Sequence, residues 1–162
     1  LISAGAEKVV LNNWAINQPE LITEISNSFG SQSMVVAVDT KKNWFGKQKV
    51  YSLSGKKSTD LNLDEWIMEI EKRGAGEILI NSIGMDGKMS GYNTELINRV
   101  SKSVNIPVIA GCGAGSVTHF KDAIKAGAEA CAGGSVFVFH GSRRGVLINY
   151  PSKEERDSIY TI

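Results

Sequence analysis

The chain has 162 residues, of which 42% are hydrophobic and 22% charged, so it has the composition of one soluble globular domain and not of a disordered chain. Its 18 basic and 17 acidic residues give a net charge of +1, and this balance provides no electrostatic case for a nucleic-acid partner. No apolar run approaches the roughly 18 residues that a membrane helix needs, which argues against a membrane partner.

The first predicted elements alternate between strand and helix. Residues 7–13 form a short strand, residues 14–18 a connection, and residues 19–30 a helix that begins with proline and closes on glycine. Residues 34–39 are a continuous apolar run, which is typical of a strand buried on both faces of a parallel sheet. This strand ends on an isolated carboxylate, Asp39.

An insertion at residues 40–61 interrupts this alternation. It contains six lysines and three aromatic residues and shows no helical period. A long insertion of this kind is usually a functional or flexible loop, so we predict a mobile loop over these residues. The mixture of basic and aromatic residues also permits nucleic-acid binding, but the pattern favours a solvated loop with a small hairpin.

The second half of the chain returns to the alternating pattern. The predicted elements are a helix at 64–73, a strand at 77–82, an exit loop at 83–91, a helix at 92–103, a strand at 108–110, a helix at 116–126, a strand at 130–132 and a short terminal helix starting at 152–155.

Glycine-rich loops follow the last two predicted strands. Residues 111–115 contain three glycines, and residues 133–135 read Gly-Gly-Ser. Glycine has no Cβ, so the backbone N–H groups of such loops can approach a ligand closely and form a cradle for an anion, most often phosphate. The alternative is that these glycines only form tight turns between strand and helix. Two such loops in succession favour the phosphate site.

The repeated order of strand, loop, helix and glycine predicts an α/β fold with right-handed crossovers and a parallel sheet. Short strands with polar carboxyl ends suit a (β/α)₈ barrel of the TIM-barrel type better than a dinucleotide-binding fold, whose glycine fingerprint is absent. Five strands do not close an eight-stranded barrel. We therefore expect residues 1–162 to be an incomplete barrel, the C-terminal part of a longer chain.

Eight motifs occur in order along the chain. They are GAEKVVLNN at 5–13, FGSQ at 29–32, VVAVD at 35–39, SGKK at 54–57, GAGEILINS at 74–82, DGKMSGY at 86–92, IPVIAGCGAG at 106–115 and AGGSVF at 132–137. With these motifs the chain resembles the cyclase subunit of imidazole glycerol phosphate synthase, the histidine-biosynthesis barrel, from the fourth strand of that barrel to its end.

The resemblance implies a lyase that closes an imidazole ring on a substrate carrying a phosphate at each end. It places a catalytic carboxylate at Asp39, and a carboxylate at a strand end can act as a general acid or base. The alternative is that Asp39 has no catalytic role and only caps a helix or ends a strand in solvent. The family's other catalytic aspartate lies on the first strand, outside this chain, so we expect the chain alone to be inactive.

The resemblance also implies substrate-binding residues in three groups. One phosphate is held by the loops of Gly87, Gly113, Gly134 and Ser135, the other lies near Asn12 and Asn13, and further contacts come from Asn81, Asp86 and Gly111. Lys56 and Lys57 match the mobile loop over the active site.

At the opposite ends of the strands, Lys8 and Glu77 match a charged ring through which ammonia enters from a separate glutaminase. The alternative is an ordinary ion pair at the base of the barrel. The resemblance therefore implies a heterodimer with a glutaminase, with no cofactor and no metal. Two cysteines are too few for a disulfide framework, and no signal peptide is visible, so we expect a cytoplasmic location.

Four residues depart from the family pattern at the expected pocket mouth. In this chain Asn81 stands where the family has threonine, and Gly84 stands where it has aspartate. Gly111 stands where the family has serine, and Cys112 stands where it has glycine. These changes, with an unusual tail, resemble a paralogous branch thought to use ammonia in converting an acetamido to an acetamidino group on a nucleotide-linked sugar of surface polysaccharides. A third possibility is a non-catalytic half-barrel that only binds phosphate or a partner.

Overall fold

The computed structural model describes residues 1–141 and 143–161. Ser142, within the tail that departs from the family pattern, and Ile162, the end of the predicted domain, lie outside the described residues.

Strands and helices alternate along most of the described chain. The strands are β1 (Val9–Leu11), β2 (Met34–Lys42), β3 (Gln48–Ser52), β4 (Lys57–Ser58), β5 (Glu77–Ser82), β6 (Val108–Gly111), β7 (Ala130–Cys131), β8 (Phe139–His140) and β9 (Gly145–Val146). The helices are α1 (Asn13–Asn17), α2 (Glu20–Phe29), α3 (Leu63–Lys72), α4 (Thr94–Ser101), α5 (Val117–Lys125), α6 (Ser135–Val138) and α7 (Lys153–Ile159).

Most strands of the central sheet are parallel, and these parallel strands lie side by side in chain order. β1 pairs with β2, β2 with β5, β5 with β6 and β6 with β7, all in parallel. β2 is buried from Met34 through Thr40, which agrees with its continuous apolar sequence. Within the described residues no pairing joins β1 to β7, so the sheet does not close into a barrel. The predicted α/β fold with a mostly parallel sheet is confirmed.

The insertion forms an antiparallel hairpin. β2 does not stop at Asp39 but continues to Lys42, where it pairs with β3, and β3 pairs in turn with β4. The tip is a tight turn in which the Asn43 side-chain oxygen accepts the backbone N–H groups of Phe45 and Lys47. The preferred interpretation of residues 40–61, a small hairpin, agrees with the structure, and their mobility stays a prediction.

Helices pack against the sheet through one continuous hydrophobic core. Ile67 and Ile70 of α3 and Val100 of α4 are fully buried against strand residues such as Ile78. Burying one such side chain contributes about 1.5–3 kcal/mol to folding. None of the helices in the described range is long and apolar enough to cross a membrane.

Polar caps fix several helix starts. The Asn62 side chain accepts from the N–H of Asp64 at the start of α3, and Ser152 forms a capping box with Glu155 at the start of α7. The predicted terminal helix is thus confirmed. The predicted connection at residues 14–18 was wrong, because Asn13–Asn17 form α1; five residues are too few for a helical period to show in the sequence.

Candidate active site

The predicted site residues gather at the carboxyl ends of the parallel strands. The strands β1, β2, β5, β6 and β7 run in the same direction, so the loops that follow β1, β5, β6 and β7 meet at one edge of the sheet. In parallel α/β folds this edge is where ligands bind. Two adjoining cavities open there.

The first, here called the glycine cavity, has a volume of about 250 Å³. It lies between the loops that follow β5, β6 and β7. Its lining consists of Asn81, Asp86, Gly87, Gly111, Cys112, Gly113, Ala114, Ala132, Gly133, Gly134 and Ser135. Every predicted member of the first phosphate group therefore lines one cavity, as do Asn81, Asp86 and Gly111.

Close backbone packing shapes this cavity. Gly113 has a φ of 107°, its carbonyl accepts the N–H of Gly91 at 2.9 Å, and a Cβ on Gly113 would overlap the Gly91 carbonyl oxygen. Likewise, a Cβ on Gly115 would lie 2.7 Å from the carbonyl carbon of Met89. Only glycine can adopt the backbone angle at residue 113 and also leave room for the neighbouring Gly91 carbonyl group. The loop after β6 is therefore packed closely against the loop after β5.

A buried tyrosine anchors the third loop. The Tyr92 hydroxyl donates to the carbonyl oxygen of Ala132 at 2.8 Å, immediately before the Gly-Gly-Ser sequence at 133–135. Burial raises the pKa of Tyr92, so the hydroxyl keeps its proton and remains a donor at neutral pH. The glycine cavity is thus a preformed recess lined mainly by backbone and small side chains, which suits an anion cradle.

The second, here called the carboxylate cavity, has a volume of about 520 Å³. Its lining consists of Asn12, Asn13, Asp39, Lys41, Ser54, Gly55, Asn81, Ile83, Asp86 and Cys112. Asp39 is only 9% exposed, and its Oδ1 accepts a hydrogen bond of 2.9 Å from Asn81 Nδ2. A carboxylate held in this way has the geometry of a general acid or base that faces a bound ligand.

The two asparagines after β1 also hold the walls of this cavity. Asn12 Nδ2 donates to the carbonyl oxygen of Ala37 at 3.1 Å, and Asn13 Oδ1 accepts the N–H of Leu53 at 2.6 Å. The first bond ties the loop after β1 to β2, and the second ties it to the hairpin. Their predicted contact with a phosphate stays a prediction.

Asn81, Asp86 and Cys112 line both cavities and so form the boundary between them. Cys112 has a φ of 68°, an uncommon angle for a residue with a side chain. Burial, followed by the nearby charge of Asp86, raises the pKa of the Cys112 thiol to about 12. The boundary residue is therefore a neutral thiol near pH 7, not a nucleophilic thiolate.

The remaining predicted residues line neither cavity. Lys56 and Lys57 are exposed in the hairpin and line neither one. Lys8 and Glu77 form an ion pair at the amino ends of the strands, with side chains 44% and 21% exposed. The role of this pair in admitting ammonia stays a prediction.

Sequence reasoning missed Lys41, which lines the carboxylate cavity. It lies two residues after Asp39, and residues i and i+2 of a strand share one face. The predicted strand ends at Asp39, so the prediction places Lys41 in a loop and not on the face of the strand that carries Asp39. Ser54, Gly55 and Ile83 were also missed, since they reach the cavity through the pairing of the hairpin and the exit loop, which has no local sequence signal.

Comparisons with known proteins place the chain in a family. The family described as "Histidine biosynthesis protein" matches residues 1–143. A protein of Thermotoga sp. (strain RQ2) named "Imidazole glycerol phosphate synthase subunit HisF" is 49% identical over 139 residues, covering 86% of this chain and 54% of its own length. A protein of Pyrobaculum aerophilum with the same name is 49% identical over 140 residues, covering 86% and 54%.

A third relative aligns through the tail as well. The protein of Leptospira borgpetersenii named "Putative imidazole glycerol phosphate synthase subunit HisF" is 38% identical over 162 residues, covering 99% of this chain and 64% of its own length. The chain spans between about half and two thirds of the length of these curated relatives.

Proposed function

Because the chain belongs to the histidine biosynthesis protein family, we propose that it is the C-terminal part of a cyclase-type subunit of imidazole glycerol phosphate synthase. In this proposal β1, β2, β5, β6 and β7 are strands four to eight of a (β/α)₈ barrel. Their parallel pairing in chain order and the unclosed sheet support it. The complete protein would act in the cytoplasm as a lyase.

One observation carries the proposal: the buried Asp39 lines a cavity that shares Asn81, Asp86 and Cys112 with the glycine cavity. A phosphate held in the glycine cavity would direct the rest of a long substrate into the carboxylate cavity. There Asp39 would transfer protons while ammonia is added and the imidazole ring closes. The second phosphate would lie near Asn12 and Asn13.

A second candidate is the paralogue that uses ammonia to modify a nucleotide-linked sugar. It is favoured by the residues that depart from the family pattern, because Asn81, Gly111 and Cys112 all line the glycine cavity. Gly84 also contributes, since a Cβ there would lie 3.8 Å from Lys41 Cγ, so the aspartate of the family pattern would stand beside the Lys41 side chain. Both candidates share the fold, the anionic substrate and the source of nitrogen.

The proposed partner is a glutaminase subunit that delivers ammonia past Lys8 and Glu77. A partly exposed ion pair contributes little to the free energy of unfolding. Stability alone therefore does not explain this pair, and we assign it a gating role. We expect the complete protein to turn over the phosphorylated precursor with either ammonium salt or glutaminase and glutamine as the nitrogen source. Lys8→Met should lower glutamine-supported turnover several-fold and leave ammonium-supported turnover unchanged.

The matched control is Arg73→Met, which breaks the surface pair with Glu69 and should alter neither activity. Absence of turnover by the wild-type protein with ammonium would contradict the cyclase proposal. Unchanged glutamine-supported turnover in Lys8→Met would contradict the gate alone.

A further inference from the structure

We infer that Asn81 is a positioning residue that orients the Asp39 carboxylate, and that Gly111 is required because any side chain there would displace the Asn81 amide. This inference rests on the proposed function, in which Asp39 transfers protons. It assigns Asn81 a role through Asp39 in place of the direct substrate contact predicted from the resemblance.

The register of the sheet brings the three residues into one row. Asp39 of β2 pairs with Asn81 of β5, and Asn81 pairs with Gly111 of β6. Paired residues of neighbouring parallel strands point to the same face of a sheet, here toward the cavities. The Asn81 side chain therefore lies between a carboxylate on one side and a bare backbone position on the other.

The hydrogen bonds fix the orientation of the Asn81 amide. Nδ2 donates to Asp39 Oδ1 at 2.9 Å, and Oδ1 lies 3.9 Å from the Cys112 thiol sulfur. Exchanging the amide nitrogen and oxygen would place two acceptors against each other at Asp39, whereas the Cys112 thiol can donate or accept, so the contact with Asp39 fixes the orientation. One Asp39 oxygen is thereby occupied, and no side chain of the described residues donates a hydrogen bond to the other.

Gly111 leaves the space that this orientation needs. A Cβ on Gly111 would overlap Asn81 Oδ1 and lie 3.2 Å from Asn81 Cγ. The nearest atoms belong to the end of a side chain, so rotation of the Asn81 amide is the least costly relief. An added methyl group at residue 111 should therefore break the bond to Asp39 without contacting Asp39 itself.

The test uses kcat and KM of the complete protein with ammonium as the nitrogen source. We expect Asn81→Ala and Gly111→Ala each to lower kcat by about 10²-fold, the typical cost of misplacing a reacting group, with little change in KM. The double variant should lose no more than either single variant, because both remove the same contact. Asn81→Asp keeps the side-chain volume but places an acceptor against Asp39. Its kcat should therefore fall at least as far as that of Asn81→Ala.

Asn98→Ala is the matched control, since the Asn98 amide binds the Ala126 carbonyl oxygen away from both cavities and its loss should leave kcat unchanged. A raised KM at constant kcat in Asn81→Ala, or losses that multiply in the double variant, would overturn the inference. If the wild-type protein shows no turnover, the proposed function fails. A crystal structure of Gly111→Ala then decides the inference, which requires the Asn81 amide to be displaced from Asp39 and is overturned if the 2.9 Å bond remains.

Discussion

Replacing Asp39 with asparagine in the complete protein is expected to lower kcat by about 10³-fold, within the range that general acid–base groups contribute. Asparagine keeps the size of the side chain but does not accept and return a proton at neutral pH. Asp39 is buried at the carboxylate cavity, and its Oδ1 is already bound by Asn81. The loss should therefore reflect proton transfer and not a change in packing.

Phosphate binding should survive this substitution, because Asp39 does not line the glycine cavity. The measurement is kcat with ammonium, together with the rise in melting temperature that millimolar inorganic phosphate produces by binding the folded state. Asp122→Asn, an exposed carboxylate on α5, is the control and should match the wild type in both. Full activity in Asp39→Asn would remove the assigned role of this residue, whereas absence of turnover in the wild type as well would favour the non-catalytic half-barrel.

Gly113→Ala in the complete protein is expected to destabilise the fold by about 2–4 kcal/mol, combining the cost of a left-handed backbone angle with steric overlap. At a φ of 107° the added Cβ would overlap the Gly91 carbonyl oxygen and lie 2.9 Å from its carbon. Both atoms belong to the backbone of a neighbouring loop, so no side-chain rotation relieves the contact. The two loops that bound the glycine cavity would have to separate.

Urea denaturation measures this effect as a lower unfolding midpoint. Gly134→Ala is the matched control in the same cavity, because its φ is −121° and an added Cβ meets nothing within 4 Å. The free energy of unfolding of the control should lie within about 0.5 kcal/mol of the wild-type value, as is usual for surface substitutions. Equal midpoints for Gly113→Ala and the wild type would contradict the close approach of the two loops.

Local sequence signals were sufficient for most of the fold. The boundaries of β5, residues 77–82, were predicted without error because an apolar run lies between a glycine cap and polar exit residues. The same signals located Asp39 and both glycine loops, and the structure places them around two adjoining cavities. Here the chemistry of a residue and its place in the βαβ repeat are both visible in the sequence.

These local signals did not predict contacts between elements that are distant in sequence. The extension of β2 to Lys42 depends on pairing with β3, so the entry of Lys41 into the carboxylate cavity was missed. The bond from Asn81 to Asp39 depends on the register of β2 against β5. Register is a tertiary property set by packing on both faces of the sheet, and one sequence does not display it.

The most direct test of the central claim is growth of a histidine auxotroph that lacks its own cyclase subunit and carries the complete gene for this protein with its glutaminase partner. The account predicts growth without histidine for the wild-type gene and none for Asp39→Asn, with both proteins present at equal levels. No growth with the wild-type gene, although the protein is folded and the partner is present, would contradict the histidine-pathway assignment and favour the sugar-modifying paralogue.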